Sequence, residues 1–206
     1  MTGRPWGGWI RRLGIVLVWG LLGMERGWVR AQAVTLAFQP EESTFEVSGT
    51  STLHDWTCAV TDWQGTVVLK QADEPASLQA TEVVVPVRAI ACGNGTMDRK
   101  LRKALKAEAY PEIRFELERV DSVAAVAAGY RLQVQGRLMV AGETRPVQMQ
   151  VLARLENGGW RFQGALPLSM KAFGIKPPTA MLGMLRTGDE VVVRFDVVAR
   201  PVSGIP

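Results

Sequence analysis

The chain has 206 residues, with 24 Lys and Arg against 20 Asp and Glu, one His and two Cys. A single histidine and the lack of any CxxC pair leave too few soft ligands for a zinc or iron–sulfur site. The formal charge of +4 does not point to nucleic acid: Arg4, Arg11, Arg12, Arg26, Arg30 and Glu25 all fall in the first 33 residues, and without them 19 basic residues face 19 acidic ones.

Those first residues read as a secretory signal peptide. Arg4, Arg11 and Arg12 precede an apolar run from Leu13 to Gly23, and Ala31-Gln32-Ala33 supplies small residues for cleavage after Ala33. The run is shorter than the roughly 20 residues that span a bilayer. The competing reading, a retained anchor, rests on Arg26 and Arg30 near the cleavage site. Residues 34–206 suit one domain, large enough to bury its own core. No later segment reaches spanning length, so the mature chain is expected to have no stable membrane insertion and to be periplasmic or secreted. There an even cysteine count favours a Cys58–Cys92 disulfide over two separately buried thiols.

From residue 34 onward, period-two alternation dominates. Strands are expected at about 34–38, 43–49, 56–70 and 78–90. Between Asn94 and Ala107 the spacing becomes helical: Met97, Leu101, Ala104 and Leu105 share one face, and Tyr110-Pro111 ends the segment. The other face carries Arg99, Lys100, Arg102, Lys103 and Lys106, which reads either as a solvated surface or as a greeting for an anionic head group. Alternation then resumes at Ile113, Phe115 and Leu117, and again from Tyr130 through Leu132, Val134, Gly136 and Leu138 to Val140. It continues at Val147, Met149 and Val151, from Trp160 through Phe162, Gly164 and Leu166 to Leu168, and from Val191 to Val197. Ala128-Gly129, Ala141-Gly142-Glu143 and Asn157-Gly158-Gly159 supply the turns. The segment from Ser169 to Gly188 is too irregular for a strand or long helix. It reads either as a gate rich in adaptable Met and Leu or as a loop packed into the core.

Strands with one dry face, joined by short turns, predict an all-β fold. An antiparallel up-and-down β-barrel of about eight strands with one short amphipathic helix is expected, and a two-sheet sandwich is the alternative. The inward faces offer Val67, Leu69, Val83, Val85, Val87, Phe115, Leu117, Leu132, Val134, Leu138, Met149, Val151, Phe162 and Leu166, and the gate segment adds Phe173 and Met181. Such a wall either fills itself or holds an apolar chain.

Ser43-Thr44-Phe45-Glu46-Val47 with Gly49 to Trp56, Met97 to Leu101 with Tyr110-Pro111-Glu112-Ile113-Arg114-Phe115, and Gly136 to Val147 follow one another in a distinctive order. Together with Phe173-Gly174-Ile175 and Gly188-Asp189-Glu190-Val191 they resemble the YceI-like family, periplasmic lipocalin-like proteins that bind polyisoprenoid lipids. The run His54-Asp55-Trp56-Thr57-Cys58 departs from the better known isoprenoid binders of that family. The resemblance implies a carrier or sequestering protein for a long-chain isoprenoid, of polyprenyl phosphate or quinone type, with no cofactor and no covalent chemistry. A filled barrel acting as a structural or interaction protein of the envelope is the alternative, and an enzyme using His54 is the third reading. His54 and Asp55, as neighbours on a strand, would point to opposite faces and could not act as base and orienter. Their expected role is to fix a turn or cap the barrel through side-chain to backbone bonds. No G-x-S-x-G elbow surrounds Ser48, Ser51 or Thr52.

Overall fold

A computed structural model describes residues 33–180 and 184–202. The expected signal segment lies outside the described residues, as does Met181. Among the described residues there are twelve strand segments: β1 (Val34–Phe38), β2 (Thr44–Ser51), β3 (Trp56–Val60), β4 (Gln64–Leu69), β5 (Leu78–Pro86), β6 (Ile90–Ala91), β7 (Glu112–Val126), β8 (Gly129–Val140), β9 (Glu143–Glu156), β10 (Gly159–Ser169), β11 (Thr179–Ala180) and β12 (Leu185–Pro201). The helix α1 covers Gly95–Ala104.

Antiparallel pairing runs β1-β4-β5-β7-β8-β9-β10-β12 and returns to β1, where Leu36 pairs with Pro201 and Phe38 with Ala199. Eight strands therefore close a ring, and the sandwich alternative is excluded. The long β12 also carries β2 on the same edge, with β3 and β6 beyond it. β2 thus prolongs β1, β3 precedes β4 in line, and β6 prolongs β5. The expected single strands at 56–70 and 78–90 are each broken in two. β12 begins at Leu185, six residues before its alternation becomes visible at Val191.

All three breaks shift the inward parity by one residue. Leu36 and Phe38 are inward in β1, but Phe45 and Val47 in β2; Cys58 and Val60 in β3, but Trp63 and Val67 around β4; Val83 and Val85 in β5, but Ile90 in β6. A one-residue slip turns a strand over, and each interruption lets both halves keep an apolar face inward. The long β7 makes the same kind of adjustment without a break, through register shifts between Leu117 and Arg119 and between Val120 and Ser122. The backbone groups at the breaks stay satisfied. Gln39 N donates to the Val198 carbonyl at 2.8 Å, and Val198 N donates to Ser43 Oγ at 3.0 Å. Thr61 donates to the Ala89 carbonyl from both N and Oγ1, at 3.0 and 3.1 Å.

One end of the ring is sealed. Trp160, 1% exposed, lies with Tyr130 at a ring separation of 6.1 Å, and its Nε1 donates to the Ala72 carbonyl of the β4–β5 connection at 2.7 Å. The hairpin turns match the right-handed twist of their strands: Ala141 and Gly142 have φ of 51° and 87°, and Asn157 and Gly158 have 50° and 75°. The helix lies at the opposite end. Asn94 Oδ1 caps it, accepting from Thr96 N and Met97 N at 2.9 and 3.2 Å. It ends earlier than its apolar spacing implies, because Lys106 turns left-handed at φ 54°. Lys106 N then bonds to the Lys103 carbonyl and Ala107 N to that of Arg102, a Schellman closure. The Cys58–Cys92 disulfide is formed, tying β3 to the segment that leads into α1.

Candidate ligand cavity

A cavity of about 770 Å³ fills the ring from the Trp160 layer to the helix end. Thirteen of the sixteen residues expected at a ligand line it: Val67, Val83, Val85, Phe115, Leu117, Leu132, Val134, Leu138, Met149, Val151, Phe162, Leu166 and Phe173. Leu69 does not, because it closes the far end of β4 and is buried in the core cluster that holds Trp160. Val87 does not either. It has the parity of Val83 and Val85 but stands in the 3-10 turn Val87–Ala89, where the strand breaks, and Ile90 takes the inward place. Met181 lies outside the described residues.

Several lining residues escape a strand-by-strand reading. Phe38, Phe45 and Trp63 meet at the level of the breaks, with Phe38–Trp63 and Phe45–Trp63 ring separations of 5.4 Å, and Phe162 completes the belt at 6.3 Å from Phe38. Trp63 sits in an interruption that reads from sequence as continuous strand. Met97 and Leu101 line the cavity from α1, whose apolar spacing was visible although its target was not. Phe195 and Val197 line it from β12, on the alternating face visible in sequence.

Glycines make room for three aromatic rings on the wall. A Cβ on Gly136 would stand 2.6 Å from the Phe115 ring, one on Gly164 2.4 Å from Phe195, and one on Gly65 2.9 Å from Phe38. Those three rings therefore occupy the space that side chains at the glycines would fill.

Polar groups gather at the helix end, which forms the mouth. Ser51, His54, Asn94, Thr96, Lys100, Ser169 and Arg186 border it. His54 and Asp55 lie in the β2–β3 connection rather than on a strand, so alternation does not govern them; β3 begins only at Trp56. The turn is fixed chiefly by Ser51 Oγ, which donates to the His54 carbonyl at 2.7 Å and accepts from Leu53 N and His54 N. His54 Nδ1 lies 2.8 Å from the Asp55 carbonyl. A carbonyl only accepts, so Nδ1 is the nitrogen that carries the proton. Trp56 packs over Gly49, where a Cβ would be 2.5 Å from its ring, and donates Nε1 to the Thr50 carbonyl at 3.2 Å.

The irregular segment after β10 is packed down. Phe173 and Ile175, 4% and 5% exposed, join Leu138, Val140 and Leu166 in a second buried cluster, and Phe173 reaches the cavity as well. Asp189 holds this segment in place. Its carboxylate accepts from Lys171 N at 2.9 Å and Ser169 Oγ at 2.8 Å, and those bonds, the one from the Lys171 backbone foremost, keep its pKa below the ordinary Asp value. Among the described residues no three His, Cys, Asp or Glu side chains group as metal ligands, and no helix is long and apolar enough to cross a membrane.

A family model described as YceI-like domain matches residues 36–199. No curated protein matches the chain in sequence. Among solved structures, BcnA of Burkholderia cenocepacia superposes with a TM-score of 0.64 at 18% identity, covering 78% of this chain and 98% of that one. A polyisoprenoid binding domain from Saccharophagus degradans, implicated in plant cell wall breakdown, gives 0.60 at 13% identity, covering 82% and 99%. The YCEI protein of Campylobacter jejuni gives 0.54 at 15%, covering 70% and 84%. At these identities the likeness is one of fold.

Proposed function

The chain belongs to the YceI-like family, and on that premise we propose that it is a periplasmic or secreted lipid-binding protein that carries or sequesters one long-chain isoprenoid, of polyprenyl phosphate or quinone type. The observation that carries this reading is the open cavity of about 770 Å³, with walls that are mainly apolar and polar groups gathered chiefly at its mouth. That volume is typical of a small-molecule site. Gly136 and Gly164 give the Phe115 and Phe195 rings room beside the wall. The likeness to a protein described as a polyisoprenoid binding domain supports the ligand class.

The polarity of the cavity sets the orientation of the ligand. The tail points to the Trp160 end, gaining about 0.8 kcal/mol per buried methylene, and the polar head stays at the rim near His54, Lys100 and Arg186. Binding and release then need no bond to be made or broken. The disulfide fits an oxidising compartment, and residues 1–33 act as a signal peptide that delivers the domain there.

Native mass spectrometry of the protein gently extracted from its own envelope tests the reading. One lipid adduct per chain is expected, and delipidated protein should take up an added polyprenyl phosphate or quinone. An apo mass together with no uptake of either would sink it.

A further inference from the structure

We propose that the mouth end of the barrel docks on an anionic lipid bilayer, with Leu53 and Met184 entering the acyl boundary and the exposed cations of α1 lying against the headgroups. Leu53 and Met184 are the two most exposed large apolar residues among those described, at 66% and 72%. They come from chain segments far apart in sequence, yet Thr52 binds them into one rim. Thr52 N donates to the Arg186 carbonyl at 3.0 Å, Thr52 Oγ1 to the Met184 carbonyl at 3.4 Å, and Arg186 N to Thr52 Oγ1 at 3.2 Å. Both apolar side chains thus stand beside the opening of the cavity.

The charge of the fold is sorted by end. The connections at the mouth (residues 52–55, 92–111, 141–142, 170–180 and 184) carry seven Lys and Arg against three Asp and Glu, whereas those at the sealed end (70–77, 127–128 and 157–158) carry Lys70 against Asp73 and Glu74. Five of the seven cations belong to α1 and the turn after it: Arg99, Lys100, Arg102, Lys103 and Lys106, all exposed. The apolar residues Met97 and Leu101 of the same helix face the cavity. A chain whose charges nearly balance beyond residue 33 therefore presents its positive end and its bare apolar pair together, at the opening. Apolar insertion joined to a basic surface is the combination that holds a protein on an anionic membrane.

The choice of a bilayer over a protein partner rests on the carrier reading, because an isoprenoid crosses water poorly and leaves a membrane best through an opening pressed against it. An environment-sensitive fluorophore on Leu53→Cys in the full chain gives a local readout, since both native cysteines are paired. The same label on Leu155→Cys, 53% exposed on β9 towards the sealed end, is the control. With vesicles of equimolar phosphatidylcholine and phosphatidylglycerol, the probe at 53 should shift to the blue and be quenched from within the bilayer, while that at 155 should not. Each cation near such a surface contributes roughly fivefold in partitioning, so R99E/K103E should weaken the association by at least about 25-fold. Added salt should weaken it too.

No shift at 53, an equal shift at both positions, or association as strong on pure phosphatidylcholine and untouched by R99E/K103E would each overturn the proposal, the first leaving a protein as the partner of this rim. Lipid uptake from detergent micelles, followed by native mass spectrometry on the same proteins, reports on the carrier reading alone. Uptake without docking refutes the bilayer face; docking without uptake refutes the carrier.

Discussion

Opening the Cys58–Cys92 bond should cost this domain a large share of its stability. The bond spans 34 positions. On the chain-entropy account, the unfolded chain then regains about 12.6 cal/mol/K, which is about 3.8 kcal/mol at 25 °C. Domains of this kind hold roughly 5 to 15 kcal/mol in all. Cys58→Ala with Cys92→Ala is the suitable variant: Cys58 is fully buried, and a serine there would have to bury a hydroxyl. Thermal unfolding of delipidated protein should shift down by about 8 to 15 °C, at 2 to 4 °C per kcal/mol for a domain of this size. In urea the midpoint should fall by about 2 M at a slope near 2 kcal/mol/M, and the slope itself should steepen because the uncrosslinked chain exposes more surface. Removing lipid first matters, since a bound ligand adds its own stability. Native protein carrying the bond, confirmed by mass, that differs from the double variant by less than about 3 °C would refute the reasoning, because the crosslink would then not be constraining the unfolded chain.

Val134→Trp, on the cavity wall, should weaken lipid uptake at an overpacking cost of about 1 to 3 kcal/mol. Gln133→Trp on the neighbouring outward position should leave uptake unchanged, and equal effects in a titration would put the ligand outside the barrel. Trp160→Phe keeps an aromatic at the sealed end but leaves the Ala72 carbonyl without its donor, so equilibrium unfolding should show a loss of about 1 to 3 kcal/mol; an unchanged midpoint would mean that the bond is not needed. Asp189 has a lowered folded pKa, so its stabilising effect is complete above the unfolded Asp value, near 3.9, and is lost as pH falls through the folded value. The gap in unfolding free energy between wild type and Asp189→Asn should therefore be widest near neutrality and narrow below about pH 4. A gap that widens on acidification would contradict the assignment.

The meander from β7 to β10 was legible because its strands alternate over long stretches, in β7 only as far as Leu117, where the register shifts, and because each turn carries a glycine of positive φ. The breaks were not. Residues 56–70 are mostly β-forming, and the one local mark of the point where inward parity changes, Asp62 in Thr61-Asp62-Trp63, is a single strand-disfavouring residue that a strand can also carry on its wet face. That slip concealed Trp63, and the matching slip near Val87 misplaced Val87 on the wall. Leu69 carries the right parity but the wrong height, and height along a barrel depends on which end a connection seals, a long-range property. His54 and Asp55 fall between the expected strands and were expected to fix a turn, which is where they lie; the Ser51 hydroxyl, three residues before His54, is the group that fixes it chiefly, a local contact that the reading of His54 passed over. For Gly136 and Gly164 the signal was present in the sequence. A glycine on an inward face of an alternating strand marks a place where a neighbouring ring comes close.

The seam of the ring has a bearing on how the polypeptide is made. β12 pairs with β10 on one side and with both β1 and β2 on the other, so β1 and β2 wait until β12 has been made before they find this partner. Contacts so distant in sequence make for slow closure. Until β12 arrives, the nascent sheet has two raw edges, β10 and the β1–β2 line, each able to recruit a strand from another molecule. A chain truncated ahead of Leu185 would keep its other seven wall positions and its apolar interior but would never lose those edges, which makes it a self-associating species rather than a smaller barrel.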